Sequence, residues 1–131
     1  RVALSAKTSG KAILISDAMP ATKSNMSTFD WNGETIHVDD GRCMTKDGTL
    51  AGSTLTLRDA IVYVIENLNL GLEEALRMAS TYPAEAIGRQ DEFGYVRKGN
   101  HANLVLLDER LNVIETWVEG DRFQSRNPGG V

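Results

Sequence analysis

Asp17 directly follows the apolar run Ala12-Ile13-Leu14-Ile15-Ser16. Barrel enzymes carry catalytic groups at the C-terminal end of a buried strand, because the rigid backbone upstream fixes where the side chain projects. A carboxylate there can serve as general acid or base. Aspartate is also common just after strands as a turn or helix-cap residue, and the local pattern alone leaves both readings open. The second candidate is Asp47-Gly48-Thr49-Leu50-Ala51-Gly52-Ser53. Its two glycines and small side chains allow a ligand to come close to backbone N–H groups. No Gly-Lys-Ser/Thr follows, so it is not a nucleotide phosphate loop. The competing reading is a turn leading into a helix capped near Thr56.

His37 and His101 have no His or Cys partner at metal-ligand spacing, and neither is expected to hold a metal. His37 alternates with Ile36 and Val38 on the exposed face of a hairpin, and His101 falls in a Gly99-Asn100-His101 turn. Cys43, the single cysteine, reads as a small packing residue. One cysteine allows neither a disulfide framework nor a thiolate zinc cluster, and it fits a reducing, cytoplasmic compartment. Trp31 and Trp117 read as core or interface residues on strands. Glu73, Glu74, Asp91 and Glu92 read as solvated charges.

Placing these residues is the task of 131 residues, 41% hydrophobic and 24% charged, with net charge -4. That is an ordinary globular balance. It has no basic patch for nucleic acid and no apolar run long enough for a membrane span. Ala12–Ser16 reads as a strand buried on both faces, with Ile13, Ile15 and Asp17 sharing one face. Asn32-Gly33 between Thr28–Trp31 and Glu34–Val38 is a strong hairpin signal. Asp40-Gly41 and Asp47-Gly48 add two turns around Arg42–Thr45, completing a small antiparallel meander. Thr56 and Asp59 resemble a capping box. Leu57, Ile61, Ile65 and Leu68 then make one apolar helix face, which Gly71 ends. Leu72, Ala75, Leu76 and Ala79 make the face of a second helix. Pro83 suits the first turn of a third, Ala84–Ile87, with Gly88 as its C-cap. Strands return at Ala102–Asp108, Val113–Val118 and Arg122-Phe123.

Arg1–Lys7 reads as a helix end before a Ser9-Gly10 stop, which predicts further sequence upstream, and Gln124–Val131 reads as a tail. One parallel-type strand cannot make a sheet by itself, since its neighbours must supply the hydrogen bonds. The order fits the last βα unit of a barrel followed by strands of a small accessory sheet.

Several segments together resemble one family. Ile15–Thr22 resembles its strand-end T-D-A motif. Asp47–Thr56 matches a D/N-G-T-L-x-G-S-x-L-T signature. Glu74–Ser80 with Tyr82-Pro83-Ala84 matches an L-R-M-A-S…Y-P-A helix, and Thr116–Gly120 matches a terminal strand. The family is N-acetylglucosamine-6-phosphate deacetylase, of the amidohydrolase superfamily, and the resemblance runs from about residue 11 to residue 123. Gly99–Asp108 resembles a stretch shared across the superfamily.

The resemblance implies an α/β chain, the C-terminal fragment of a (β/α)8 TIM-barrel enzyme. Residues 1–93 would be the last part of the barrel with a β-hairpin insertion, 94–123 the strands of an accessory β-sandwich, and 124–131 a tail. It implies that Asp17 acts as general base and then general acid, and that Leu50, Ala51 and Gly52 touch an amino-sugar phosphate substrate. It implies a divalent metal, zinc or iron, that lowers the pKa of the attacking water. The ligands for that metal would lie upstream, with none in this chain, so the fragment alone should be inactive. Homo-oligomers are expected, with no nucleic acid and no membrane. Three departures stand out: Ser16 for Thr, Lys23 where Gly is common, and Asn103 for Asp. The alternatives are a non-catalytic module that binds a ligand or partner, and an amidohydrolase acting on a different amide.

Overall fold

The computed structural model describes Leu4, Ala6 and residues 12–123. Apart from Leu4 and Ala6, the helix end expected over Arg1–Lys7 lies outside the described residues, as does the tail 124–131. The chain is a small α/β unit pair with two antiparallel sheets, one in Leu14–Leu70 and the other in the remainder.

In Leu14–Leu70 the meander forms as the turn chemistry predicts. Strands β1 (Thr28–Trp31), β2 (Glu34–Asp39), β3 (Arg42–Met44) and β4 (Leu50–Ser53) pair in sequence order. Asn32-Gly33 and Asp40-Gly41 each have positive φ at both residues. Such turns twist with the strands they join, and Asn, Asp and Gly tolerate them at least cost. β4 was expected as a loop. Its glycine and small residues carry little strand propensity, but pairing with β3 makes it a strand. The register runs Arg42↔Ser53, Cys43↔Gly52, Met44↔Leu50, so Ala51 is an extra, bulged residue. Ile36 and Cys43 are fully buried here.

Residues 12–17 form no strand. Ile13 is 42% and Ile15 74% exposed, against the expectation of burial on both faces. The physical reason is the one that makes a lone parallel strand unstable: among the described residues, β4 bonds only its C-terminal end and no strand pairs along residues 12–15. The segment's sheet-like contact is a single parallel bridge, Ala18 to Ser53.

Helix α1 (Leu57–Leu68) buries Ala60, Ile61 and Val64, a stripe rotated from the predicted one and centred on Val64. It ends two residues before Gly71, at Asn69, which takes a left-handed conformation and donates its N–H to the Val64 carbonyl. At the other end Thr56 caps the helix. Its Oγ1 accepts the Asp59 N–H at 3.1 Å and donates to the Asp59 carboxylate at 2.6 Å. The Asp59 carboxyl sits at about 2, chiefly because of the Thr56 hydroxyl, with Arg58 and Lys23 assisting. A depressed pKa stabilises the fold above the ordinary value of 3.8, and that contribution is lost as pH falls toward 2. Thr56→Ala should therefore cost about 1–2 kcal/mol in urea unfolding at pH 7, and less as the pH approaches 2. A difference that does not change with pH would contradict this account.

In the other unit, α2 (Leu72–Ala79) is capped by Gly71 and buries Ala75 and Met78. α3 (Thr81–Ala86) begins three residues before the predicted start, with Pro83 still in its first turn. α2 packs on α3. Glu74, read as solvated, is half-buried and accepts from Tyr82 Oη at 2.8 Å and Arg77 Nε at 3.2 Å. Strands β5 (Leu104–Leu107), β6 (Val113–Val118) and β7 (Asp121–Phe123) form the second sheet in that order. No helix among the described residues is long and apolar enough to cross a membrane.

Candidate active site

The turn at Asp17 is held by β4. The Ser53 N–H donates to the Asp17 carbonyl at 2.8 Å, and the Met19 N–H donates to the Ser53 carbonyl at 2.8 Å. These two bonds bracket Ala18 and make the parallel bridge. The Ser53 hydroxyl adds a third tie, donating to the Ser16 carbonyl at 2.6 Å while accepting the Leu55 N–H at 2.9 Å. Asp17 itself has φ +52°. A left-handed conformation costs most residues about 1–2 kcal/mol, and Asp and Asn least among those with side chains. Residues held this way against their preference cluster at functional sites. The Asp17 side chain is exposed at this turn.

Gly52 is buried beneath the same turn. A Cβ there would stand 2.9 Å from the Asp17 carbonyl oxygen and 2.6 Å from Met19 Cγ. The close approach that the glycine permits is thus made by residues 17–19 of the chain itself rather than by an incoming ligand. Leu50, 63% exposed, and half-buried Ala51 are the parts of that segment open to one. Across the sheet from Gly52 lies Cys43. Burial pushes its thiol above the usual range, and the negative charge of Asp17 adds to the effect. The structure therefore brings together both sequence candidates, Asp17 and the Leu50–Gly52 segment, within one patch.

Sequence reasoning missed Ser53 and Met19 as members of this patch. The signal for Ser53 was present, since it ends the Asp47–Ser53 segment, but its partner segment lies 37 residues away and no periodicity links them.

Lys23, placed where Gly is common, has φ +58°. This explains the usual glycine, and the Lys23 Nζ–Asp59 pair at 3.1 Å is what the lysine gains in its place. His37 stands exposed on β2. His101 does more than occupy a turn. Its ring stacks on Phe93 with centroids 4.8 Å apart, and Nδ1 lies 2.6 Å from a Glu119 carboxylate oxygen. That contact, with the Asn103 amide second, holds the Glu119 carboxyl below its usual range. Glu92, read as solvated, is bound by Arg89. Asn103 uses both ends of its amide on Glu119, donating from Nδ2 at 2.9 Å and accepting its N–H at Oδ1 at 2.8 Å. An aspartate could not donate, and it would set a second negative charge against Glu119.

A metal-dependent hydrolase needs a set of converging ligands. Among the described residues no group of three or more His, Cys, Asp or Glu could hold an ion, so these residues do not themselves fit a metal centre.

The sequence comparisons define the class: the chain belongs to the amidohydrolase family, whose profile matches residues 35–123. Within that class it is similar to N-acetylglucosamine-6-phosphate deacetylase of Haemophilus influenzae, with 36% identity over 112 residues, 84% of this chain and 29% of that protein. The N-acetylgalactosamine-6-phosphate deacetylase of Escherichia coli O157:H7 is 34% identical over 110 residues, again 84% of this chain and 29% of that protein. The crystal structure of the Thermotoga maritima N-acetylglucosamine-6-phosphate deacetylase superposes with a TM-score of 0.83 at 31% identity, covering 95% of this chain and 34% of that one. The chain spans about a third or less of the length of these relatives.

Proposed function

We propose that this chain is the C-terminal portion of an amino-sugar-phosphate deacetylase that hydrolyses N-acetylglucosamine 6-phosphate to glucosamine 6-phosphate and acetate. In this reading residues 1–93 are the last part of a (β/α)8 barrel and 94–123 the strands of an accessory β-sandwich. Asp17 takes a proton from the water that attacks the acetamide carbonyl, then delivers it to the nitrogen as the C–N bond breaks. The water oxygen leaves in acetate and the nitrogen as the amine of the sugar. Leu50 and Ala51 line the sugar, with Gly52 beneath them against the Asp17 turn. A divalent metal, zinc or iron, belongs to this reading and is held by residues outside this chain. A cytoplasmic homo-oligomer completes it.

The observation that carries the reading is the 2.8 Å bond from the Ser53 N–H to the Asp17 carbonyl. It sets the candidate acid–base residue beside the candidate sugar-lining segment, as one catalytic pocket requires. The Haemophilus relative supports the substrate. The Escherichia coli relative supports a second reading, in which the substrate is the C4 epimer, N-acetylgalactosamine 6-phosphate.

The test is acetate release by the full-length protein, with zinc or ferrous iron supplied, from each of the two sugars. A higher kcat/KM with the gluco sugar is expected, while residues 1–131 alone should release no acetate. Preference for the galacto sugar would establish the second reading. Cleavage of cyclic amides with neither sugar turned over would put the protein elsewhere in the family, and absence of all turnover would leave a binding module.

A further inference from the structure

We infer that Ser53 is the positioning residue of this site. It holds Asp17 in the geometry for proton transfer through its hydroxyl, without touching substrate. The inference rests on the deacetylase reading above.

Three ties run from this one residue to the segment around Asp17. Two are backbone bonds, to the Asp17 carbonyl and from the Met19 N–H, each 2.8 Å. Any residue but proline at position 53 could keep them. The third belongs to serine: Oγ donates to the Ser16 carbonyl at 2.6 Å, in a part-buried position. The hydroxyl is itself held in place, because the Leu55 N–H donates to it at 2.9 Å. Ser53 is in turn fixed in β4 by its register with Arg42.

The reason such a tie matters is the backbone at Asp17. With φ +52° the residue sits in a conformation that an unrestrained chain would leave for the extended region. Leaving it swings the Cα–Cβ bond and changes where the carboxylate stands relative to the Leu50–Gly52 segment. The Ser16 carbonyl belongs to the peptide unit that joins Ser16 to Asp17, so anchoring that carbonyl fixes the plane about which φ of Asp17 turns. The backbone bonds restrain the peptide units after Asp17, and the Ser53 hydroxyl restrains the unit before it. With both held, the side chain has one direction to point. Proton transfer is steep in this respect, since a misplacement of about 1 Å can cost about 100-fold in rate.

The experiment uses the full-length protein and compares Ser53→Ala, Ser53→Cys, Ser53→Thr and, as reference, Asp17→Asn. Acetate release gives kcat and KM for each, and thermal unfolding gives Tm. The expected result for Ser53→Ala is a fall in kcat of about 10–100-fold, with KM within about twofold and Tm close to that of the parent. Ser53→Cys keeps the volume with a poor donor and should fall likewise. Ser53→Thr keeps the hydroxyl and should restore most of kcat. If Ser53→Ala does not fold, the Cys and Thr pair carries the comparison. Loss of activity on Asp17→Asn with no change in kcat on Ser53→Ala or Ser53→Cys would overturn the positioning role and leave the deacetylase reading intact. A fall in kcat that tracks a fall in Tm and is not restored by threonine would reduce Ser53 to a structural residue. Retention of activity by Asp17→Asn would overturn the positioning role together with the assignment of Asp17, whereas no acetate release by the parent protein would overturn the deacetylase reading itself.

Discussion

Asp17→Asn in the full-length protein is expected to lower kcat for acetate release by about 10²–10⁴-fold, the range that general acid–base catalysis supplies. Asparagine has the same shape as aspartate and tolerates the same left-handed backbone, so φ +52° at this position can persist. The bond from the Ser53 N–H to the residue 17 carbonyl does not involve the side chain and should persist too. What the amide lacks is the ability to take a proton from the attacking water and return it to the nitrogen. KM and Tm should therefore change little while kcat collapses, the signature of an interaction needed only in the transition state. An Asn variant within about threefold of the parent would sink the assignment of Asp17.

Gly52→Ala should damage both stability and activity. The new Cβ would lie 2.6 Å from Met19 Cγ and 2.9 Å from the Asp17 carbonyl oxygen. The methionine can swing aside, because it is flexible and unbranched. The carbonyl cannot, because it receives the Ser53 N–H. Relief has to come from moving the Asp17 turn away from β4. Overpacking of this kind costs about 1–3 kcal/mol, readable by urea unfolding, and the displaced carboxylate should cost about 100-fold in kcat. Adding Met19→Ala separates the two clashes. It should recover part of the stability but little of the activity, since the carbonyl clash remains. Full recovery of kcat in the double variant would show that the methionine alone was in the way.

What could be read from the sequence divides along the range of the interactions. Turns are local, so Asn32-Gly33 and Asp40-Gly41 announced three strands of the meander. The Thr56–Asp59 cap was equally legible. The α1 stripe was misplaced because Ile65 and Leu68 drew attention away from Ala60 and Val64, which are smaller but buried. β4 was not visible at all. Its residues have little strand propensity, and it exists because β3 offers a partner. The strand expected at Ala12–Ser16 failed for the converse reason, since its composition was right but no strand among the described residues pairs along it. The candidate site shows the same split. Asp17 and Leu50–Gly52 stood out one by one from residue types and from resemblance. That they adjoin follows from a bridge between Ala18 and Ser53, which no local pattern encodes. For the same reason the junction that Ser53 makes was not legible, although Ser53 itself closes the Asp47–Ser53 segment.

The bulge at Ala51 carries a consequence for how this segment can change over evolutionary time. Side chains on a strand alternate between faces, so an odd change in length reverses every residue beyond it. β4 answers to two neighbours, with Ser53 paired to Arg42 on one edge and to Ala18 on the other. The bulge already uses up the single residue of slack between Met44 and Cys43. Inserting one residue between Gly52 and Ser53 would move Gly52 off its register with Cys43 and present a side chain to Asp17 in its place. The segment can thus exchange residues such as Leu50 while its length stays fixed, and it serves as a ruler for the distance between turn and helix.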